Sequence, residues 1–486
     1  MQADLSKKDE QFREFSLNGP MWRVVLYVGF PLALYESLNQ LFKILDTMMA
    51  SHIGASAVSA VAYLSQINMM ISAVGTGLAV GASIKLDAIR EDFPLLLRVS
   101  GIKLVSQAYG AGDFMLVKKR VSTMFAMCGA LGIAILLVLV PFTPEFLRLM
   151  NTPEEFIADG STYFRLELFG MVITFFNNVY IAIERARGNS KRILILNTAV
   201  IVVKLGLTAW FVYGLGGGIN MISCATIISQ SFLLLAACIN MNQKGNAFGF
   251  SLRAISIKKE VICPMLTLSF PVIVERIAFA VGKVIVNSMS TVYGSWTVGA
   301  LGISNNIGGI TTNPQNGFQE GGSSIISQNL GAGRPKRALL AFRWVLYIDM
   351  LIGLVIMTAS LLCLNQLAGL FAGDNAEFAE MIKQIYRFEA VGAIPLGVNA
   401  AVMALLYGFG KTRVTLVMNF CRVFLFRVPV LWALQQFTDL GNVSAGIVMA
   451  VSNVASGVLA AVVGVIEIRR ICNTYDVRYF GGERKN

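Results

Sequence analysis

Long apolar runs recur along the whole of this 486-residue chain. A run of about 20 apolar residues crosses the hydrocarbon core as an α-helix, because a helix satisfies its backbone hydrogen bonds internally. Only 14% of the residues are charged and 55% are apolar, whereas soluble domains carry about 25% charged residues. The runs also lack the apolar–polar alternation of transmembrane β-strands. The sequence therefore predicts an all-α integral membrane protein.

Twelve such runs fall into two groups of six, separated by a polar stretch. The first group lies near residues 21–50, 56–85, 121–143, 162–184, 193–213 and 218–240. The second group lies near residues 261–288, 296–326, 339–366, 380–409, 414–436 and 443–468. The predicted parts are an N-terminal tail (1–20), a six-helix lobe (21–240), a linker (241–260), a second six-helix lobe (261–468) and a C-terminal tail (469–486).

Lysine and arginine are concentrated in the loops that this span count places on one side of the membrane. These residues include Lys118, Lys119, Arg120, Arg185, Arg187, Lys336, Arg337, Lys411 and Arg413. Loops rich in Lys and Arg stay in the cytosol, so the pattern predicts a multi-pass plasma (inner) membrane protein with cytosolic termini and linker. The same loops account for the net charge of +12, and we expect no nucleic-acid partner.

The two groups of spans carry the same motifs in the same order, which indicates an internal repeat. Residues 106–112 (SQAYGAG) match 327–333 (SQNLGAG) at an offset of 221, and Glu167 matches Glu389 at an offset of 222. The loop glycines of the first motif are Gly110, Gly112, Gly331 and Gly333. Six spans per half is an even number, so both halves enter the membrane from the same side. The prediction is two bundles related by a pseudo-two-fold axis along the membrane normal, with a substrate site between them.

The offset is larger at the start of each half, where Phe30-Pro31 matches Phe270-Pro271 at an offset of 240. The change from 240 to 221 locates an insertion of about 18 residues near 86–104 in the first half. This segment mixes charged and apolar residues, which suits the cytosolic membrane surface. A tolerated loop insertion, or an artefact of the gene model, is the interpretation we favour.

Several short motifs resemble one family of transporters. The first span contains Asp46-Thr47, followed by Ile53-Gly54, and the loops after the second and eighth spans carry Gly-Ala-Gly. Residues 187–191 (RGNSK) and 427–429 (RVP) follow in order. Over roughly 20–470 these motifs together resemble the multidrug and toxic compound extrusion (MATE) family of cation-coupled exporters. The resemblance implies an antiporter that expels organic, often cationic, compounds in exchange for protons or sodium ions.

The resemblance also implies roles for particular acids. Asp46 matches the first-span aspartate that the family uses for cation coupling, and if the coupling ion is sodium it would bind there. Glu275 lies in the seventh span, where one branch of the family has an acid. The tenth-span aspartate of that branch is missing, and Glu389 lies about two turns from its expected place. Another branch has a fifth-span aspartate, near which this chain has Lys204. The branch and the choice of H⁺ or Na⁺ therefore stay open.

Ionisable residues at membrane depth cost roughly 2.5–3.5 kcal/mol each on insertion scales, so each needs a reason. Glu36, Asn39, Lys43 and Asp46 are spaced i, i+3, i+7 and i+10, which places them on one stripe of the first span. We interpret Asp46 as a carboxylate that alternately binds and releases a cation, with Glu36 as a second candidate. The alternative is a static Lys43–Asp46 ion pair that closes the bundle.

Polar residues in the second half could line the cavity opposite the first span. These residues are Lys283, Asn306, Asn313 and Glu320. They could equally form interhelical hydrogen bonds, which is the commoner role of buried asparagine. We interpret Lys204, Arg422 and Arg427 as structural charge partners. So many basic residues suggest that the substrate need not be a simple lipophilic cation.

Other functions find less support in the sequence. His52 is the only histidine, the seven cysteines are scattered, and no P-loop motif is present, so we expect no enzyme activity, resident metal or cofactor. A flippase for lipid-linked saccharides from the same superfamily is the nearest alternative. A major-facilitator carrier would need a Gly-x-x-x-Asp-Arg-type loop that is absent, and a channel would need ringed charges. The expected partners are a small organic substrate and the lipid bilayer, and we expect a monomer.

Overall fold

The computed structural model describes residues 7–51, 114–149, 154–186, 189–243, 248–256, 258–372 and 375–477. For residues 42–51 it describes the backbone alone. The second predicted span (56–85), the insertion near 86–104 and the loop glycines Gly110 and Gly112 lie outside the described residues.

Within these ranges the secondary structure is helical. The first seven helices are α1 (Lys7–Asn18), α2 (Met21–Ser51), α3 (Phe114–Leu139), α4 (Thr143–Leu149), α5 (Glu154–Ala186), α6 (Ser190–Ala209) and α7 (Ile219–Met241). The next five are α8 (Lys259–Ser290), α9 (Ser295–Gly331), α10 (Pro335–Leu362), α11 (Leu364–Ala372) and α12 (Ala376–Ala390). The last four are α13 (Ala393–Gly408), α14 (Thr412–Phe420), α15 (Val428–Phe437) and α16 (Val443–Tyr475). Eleven of the twelve predicted spans coincide with these helices, and the fold is that of an all-α membrane protein.

Length and hydropathy alone identify fewer spans. Among the described residues, seven helical segments are long and apolar enough to cross a membrane, and the bent pair α12–α13 makes an eighth if it forms one span. Helix α9, 37 residues long, is not among them. It carries Asn306, Asn313 and Glu320, polar residues that lower its hydropathy.

Contacts between helices divide the chain into two compact units. The described part of the first unit covers residues 7–12, 38–51 and 114–277, and that of the second covers 13–37 and 278–477. Helix α2 therefore begins in the second unit and ends in the first, while α8 begins in the first and ends in the second. The sequence assigned each of these helices to one lobe, and its lobe boundaries remain predictions.

The first unit contains a buried aromatic core and a polar cluster. Leu147 of α4 packs with Phe164 and Phe175 of α5 in the core. At the end of α5, the buried Glu184 carboxylate accepts hydrogen bonds from Asn189 and from Asn240 of α7, at 2.8 and 3.1 Å. These bonds join α7 to the loop between α5 and α6.

The second unit has a similar clamp at the matching loop. Lys411, between α13 and α14, forms an ion pair with Glu467 of α16, which also accepts from Arg470 at 2.9 Å. In each unit, a buried glutamate thus connects the loop after the fourth span of that half with the sixth span of the same half.

Close helix crossings form the core of the second unit, and glycines on α9 make them possible. A Cβ on Gly317 would lie 2.4 Å from the backbone nitrogen of Ala33 on α2. A Cβ on Gly322 would lie 2.6 Å from Val345 of α10. Two residues before Gly317, the Gln315 side chain donates hydrogen bonds of 3.0 Å to the backbone carbonyls of Asp349 on α10 and Ala393 on α13. Helix α9 therefore touches α2, α10 and α13 with little space for side chains.

The N-terminal tail predicted over residues 1–20 contains a helix, α1, whose last turn packs on the second unit. Arg337 donates to the backbone carbonyls of Ser16 and Gly19 at 3.3 and 2.8 Å, and Arg334 donates to that of Leu17 at 2.6 Å. Cationic side chains that bind the last carbonyls of a helix stabilise its end.

Replacing Gly317 with Ala tests the α2–α9 crossing. The new methyl group would overlap backbone atoms that cannot rotate away, so we expect a loss of stability of about 1–3 kcal/mol. Thermal unfolding in detergent, followed by tryptophan fluorescence, measures the change. Gly302→Ala is the matched control, because a Cβ at Gly302 of the same helix meets nothing within 4 Å. Equal melting temperatures for the two variants would contradict the close crossing.

Candidate functional site

Three cations of the second unit lie around Glu389, at the end of α12. Its side chain is buried, and the Ser304 hydroxyl of α9 donates a hydrogen bond to the carboxylate. One turn further along α9, a Cβ on Gly308 would lie 2.9 Å from the carboxylate oxygen Oε1. Ser304 and Gly308 thus share one face of α9, which provides a donor and an open space for the acid.

A break in the helix next to Glu389 brings in α16. Helices α12 and α13 meet at an angle of 49°, across Val391 and Gly392. A Cβ on Gly392 would lie 2.4 Å from the Cβ of Asn453, so only glycine allows α16 to pass this close. The absence of a side chain at the break therefore places the Asn453 amide near the Glu389 end of α12.

Two arginines reach the same asparagine from an irregular turn between α14 and α15. Pro429 lies at the start of α15 and cannot continue the preceding hydrogen-bond ladder, and the chain forms a π-helical turn over Cys421–Leu425. Arg422 Nη2 donates to Asn453 Oδ1 at 3.0 Å, and Arg427 Nη2 donates to the same oxygen at 3.4 Å. Arg427 Nε also donates to the Ser452 hydroxyl at 3.2 Å.

A third cation comes from α8. Lys283 Nζ lies 5.3 Å from the centroid of the Phe279 ring, and the Arg422 guanidinium lies 5.5 Å from the same centroid. Cations at such distances are attracted by the negative face of an aromatic ring. The Lys283 residue is exposed and Arg422 is partly exposed, whereas Arg427 is buried.

We call Lys283, Arg422, Arg427 and Glu389 the Glu389 cluster. All three cations act electrostatically on the carboxylate, so the cluster holds three positive groups and one negative group. The Nε atom of Arg422 is buried and donates no hydrogen bond within the described structure. Such a cluster can hold an anionic group beside Phe279, or it can stabilise the helix break through Glu389 alone.

The first unit has a simpler arrangement at the matching position. Glu167 of α5, which the repeat pairs with Glu389, accepts a hydrogen bond of 2.8 Å from the Ser223 hydroxyl of α7. Each half thus has a glutamate in its fourth span that is bonded to a serine of another helix.

The first-span candidates are only partly covered by the structure. The side chains of Asp46 and Lys43 lie outside the described residues, so the predicted role of Asp46 and a sodium site there stay predictions. Glu36 and Asn39 are partly buried side chains of α2. Glu36 belongs to the second unit and Asn39 to the first.

The remaining candidates lie on α8 and α9. Glu275 is buried in the first unit, whereas Lys283, eight residues later on α8, joins the Glu389 cluster of the second unit. Partly buried positions on α9 are held by Asn306, Asn313 and Glu320. Gly331 ends α9, and Gly333 adopts the left-handed φ of 74° that closes the loop before α10.

Sequence reasoning missed two acids of the second unit. It paired Glu389 with Glu167 but did not assign Glu389 to a site, because the two arginines that surround it are distant in sequence. It did not single out Asp349, which lies in the middle of the apolar helix α10. A search for every ionisable residue at the centre of an apolar span would have found this aspartate.

The model of one protein family, MatE, matches residues 31–85, 93–210 and 271–433, which is most of the chain. This chain belongs to the MATE family. Membership identifies it as a membrane transporter rather than an enzyme.

Curated relatives in the MATE family cover nearly the same length. The probable multidrug resistance protein YoeA of Bacillus subtilis (strain 168) is 23% identical over 86% of this chain and 88% of its own. The multidrug export protein MepA of Staphylococcus aureus (strain NCTC 8325 / PS 47) is 22% identical over 92% of this chain and 94% of its own.

Solved structures show the same fold. A MOP superfamily transporter from Pyrococcus furiosus Vc1 (DSM3638) superimposes with a TM-score of 0.85 at 20% identity, over 94% of this chain and 98% of the other. Its description says that the reverse polarity of its binding pocket suggests a different function.

Replacing Glu389 with Gln tests whether the carboxylate stabilises the cluster. The change removes the only negative group of the cluster and leaves the buried Arg427 without a counter-charge, which we expect to cost about 3–5 kcal/mol of stability. The measurement is the melting temperature in detergent. Glu380→Gln on the same helix is the control, because Glu380 forms a partly exposed ion pair with Lys383, and ion pairs near the surface contribute about 0–1 kcal/mol. A Glu389→Gln variant as stable as the control would rule out this stabilising role.

Proposed function

We propose that this chain exports small organic compounds in exchange for protons or sodium ions, by alternating access. The observation that carries the proposal is the family match, whose first segment (31–85) includes Asp46. The names of YoeA and MepA, multidrug resistance and multidrug export, favour drug-like substrates. The proposal places the chain in the plasma membrane as a monomer with cytosolic termini, as the basic loops predict.

Asp46 is the proposed coupling residue. A carboxylate inside the membrane is costly unless it binds a cation or a proton, so occupancy of Asp46 can favour one conformation over another. One charge that moves down about 100 mV releases roughly 2.3 kcal/mol, which corresponds to a roughly fifty-fold concentration ratio. One coupling ion for each neutral substrate is therefore enough for export, whereas one-for-one exchange with a cationic substrate moves no net charge and depends on the concentration gradient of the ion.

Ethidium efflux from proteoliposomes, with proton and sodium gradients imposed separately, tests the coupling. We expect wild-type efflux under one gradient and its loss in Asp46→Asn, because the amide cannot bind and release the ion. The gradient that drives efflux identifies the ion. Asp439→Asn, the same change at an exposed position, controls for the chemistry of the substitution.

Two results would count against this proposal. Normal coupled efflux by a well-folded Asp46→Asn protein would remove Asp46 from the mechanism. A wild-type protein without efflux under either gradient would instead favour a flippase or a narrow, non-drug substrate.

The Glu389 cluster supports a second candidate, transport of compounds that carry an anionic group. Lys283 and Arg422 flank Phe279, and the two residues are exposed or partly exposed. A flippase for lipid-linked saccharides would use such cations to bind phosphate.

A competition assay separates the two candidates. If an anionic group binds at the cluster, a fluorescent organic phosphate should bind to wild type, and Lys283→Gln should weaken its binding roughly tenfold, the effect of one charge-assisted hydrogen bond. Lys336→Gln, at an exposed position at the start of α10, should bind the phosphate like wild type. Equal phosphate binding by all three proteins would exclude this second candidate.

A further inference from the structure

Asp349 lies at the centre of an apolar helix. It is the fifteenth of the 28 residues of α10, whose mean hydropathy over its most apolar window is 2.2. At 1.5 Å per residue, about 21 Å of helix precede it, so its depth is close to the middle of a hydrocarbon core about 30 Å thick. An acid at this depth needs a physical reason.

The Asp349 side chain is fully buried, and neither carboxyl oxygen has a hydrogen-bond partner in the described structure. The Gln315 amide passes close by but donates to the backbone carbonyls of Asp349 and Ala393. Buried carboxylates elsewhere in the second unit are bonded: Glu389 to Ser304, and Glu467 to Lys411 and Arg470.

The helices around Asp349 offer it no counter-charge. Helix α9 has one ionisable residue, Glu320, five positions after Gln315 and hence about 140° around the helix from it. Helix α13 contributes Tyr407, and helix α12 contributes Tyr386, whose hydroxyl bonds Ser360, eleven residues beyond Asp349. Helix α12 also carries charged residues, none of which bonds the Asp349 carboxyl group: Glu377, Glu380, Lys383, Arg387 and Glu389. Helix α11 has no ionisable side chain. The other ionisable residues of α10 are Lys336, Arg337, Arg343 and Tyr347, and all of them precede Asp349.

Three close contacts pack α9 and α13 against α10 around Asp349. A Cβ on Gly397 of α13 would lie 2.7 Å from the Asp349 carbonyl oxygen, and one on Gly353 would lie 2.8 Å from that of Ala393. A Cβ on Gly322 of α9 would lie 2.6 Å from Val345, which precedes Asp349 by one turn of α10. The packing therefore places backbone and methyl groups, rather than water, around the acid.

A charged carboxylate in such surroundings is far costlier than a neutral carboxylic acid. A sodium ion would require several oxygen ligands, but the two backbone carbonyls at this crossing already accept from Gln315. A proton needs no further ligand. The chemistry of the site thus favours a proton over a metal cation.

We propose that Asp349 is a proton-binding site of the second unit. It carries a proton while α9, α10 and α13 are packed together, and it releases that proton only when their crossing opens to water. Protonation of Asp349 therefore favours the packed conformation. The matching position of the first half, at the offset of 222, is Met127, so the site exists in one half only. The proposal rests on ion-coupled export and adds a proton site distinct from Asp46.

The first test needs no transport. If the folded protein holds a proton at Asp349 that the unfolded chain releases, the wild type loses stability as the pH rises from about 5 to about 8. Asp349→Asn is neutral at every pH and should lose less stability than wild type as the pH rises. The difference between the melting temperatures of the variant and wild type should therefore shift in favour of the variant across this range. Asp439→Asn should follow wild type at every pH. Asp349→Leu, apolar and of similar size, replaces the Asn variant if that variant fails to fold.

Infrared spectroscopy identifies the proton directly. We expect the carbonyl band of a protonated carboxylic acid in wild type and Asp439→Asn, and its loss from Asp349→Asn. Identical spectra and parallel melting curves for wild type and Asp349→Asn would overturn the proposal.

Transport separates this proposal from the function on which it rests. If wild type exports under a proton gradient, Asp349→Asn should reduce the number of protons exchanged for each ethidium ion, and an unchanged number would overturn the role in release. If wild type exports nothing but the infrared band depends on Asp349, the proton site stands and the proposed export fails.

Discussion

The close approach of α9 to its neighbours is the constraint on which the second unit depends. In hydrocarbon there is no hydrophobic force between helices, so association relies on van der Waals contact and a few hydrogen bonds. Gly317 and Gly322 remove the side chains that would separate α9 from α2 and α10, and Gln315 fills the space with two hydrogen bonds. Helix α9 is 37 residues long, and its other polar positions are placed by this packing.

Two different solutions to the cost of buried charge occur in the same unit. Around Glu389, a serine, an asparagine and three cations surround one carboxylate, and breaks in two helices allow them to meet. Asp349 has no such partners, and its helix is regular. The first arrangement holds charges permanently in place, whereas the second is compatible with a group that loses its charge. A transporter needs both, because its packing must persist through the cycle while one site changes state.

The sequence predicted the helical fold because hydrophobic length and loop charge are local properties. Eleven of the twelve predicted spans coincide with described helices. Site residues were harder to predict, because Glu389, Arg422 and Asn453 meet only through a π-helical turn and a helix break that hydropathy does not reveal. Lys283 was named as a cavity residue, but its neighbour Phe279 was not. Asp349 was missed because it has no partner residues to form a motif.

The division of α2 between the two units has a consequence for synthesis. The α2 residues that pack against α9 are among the first to leave the ribosome, and Gly317 follows its contact Ala33 by 284 positions. At about 5–20 residues per second, roughly 15–60 s pass before the partner helix exists. During that interval the start of α2 lies in the bilayer without the helix it will pack against. A gene fragment that encodes only the second half would therefore lack a helix segment that its own core requires.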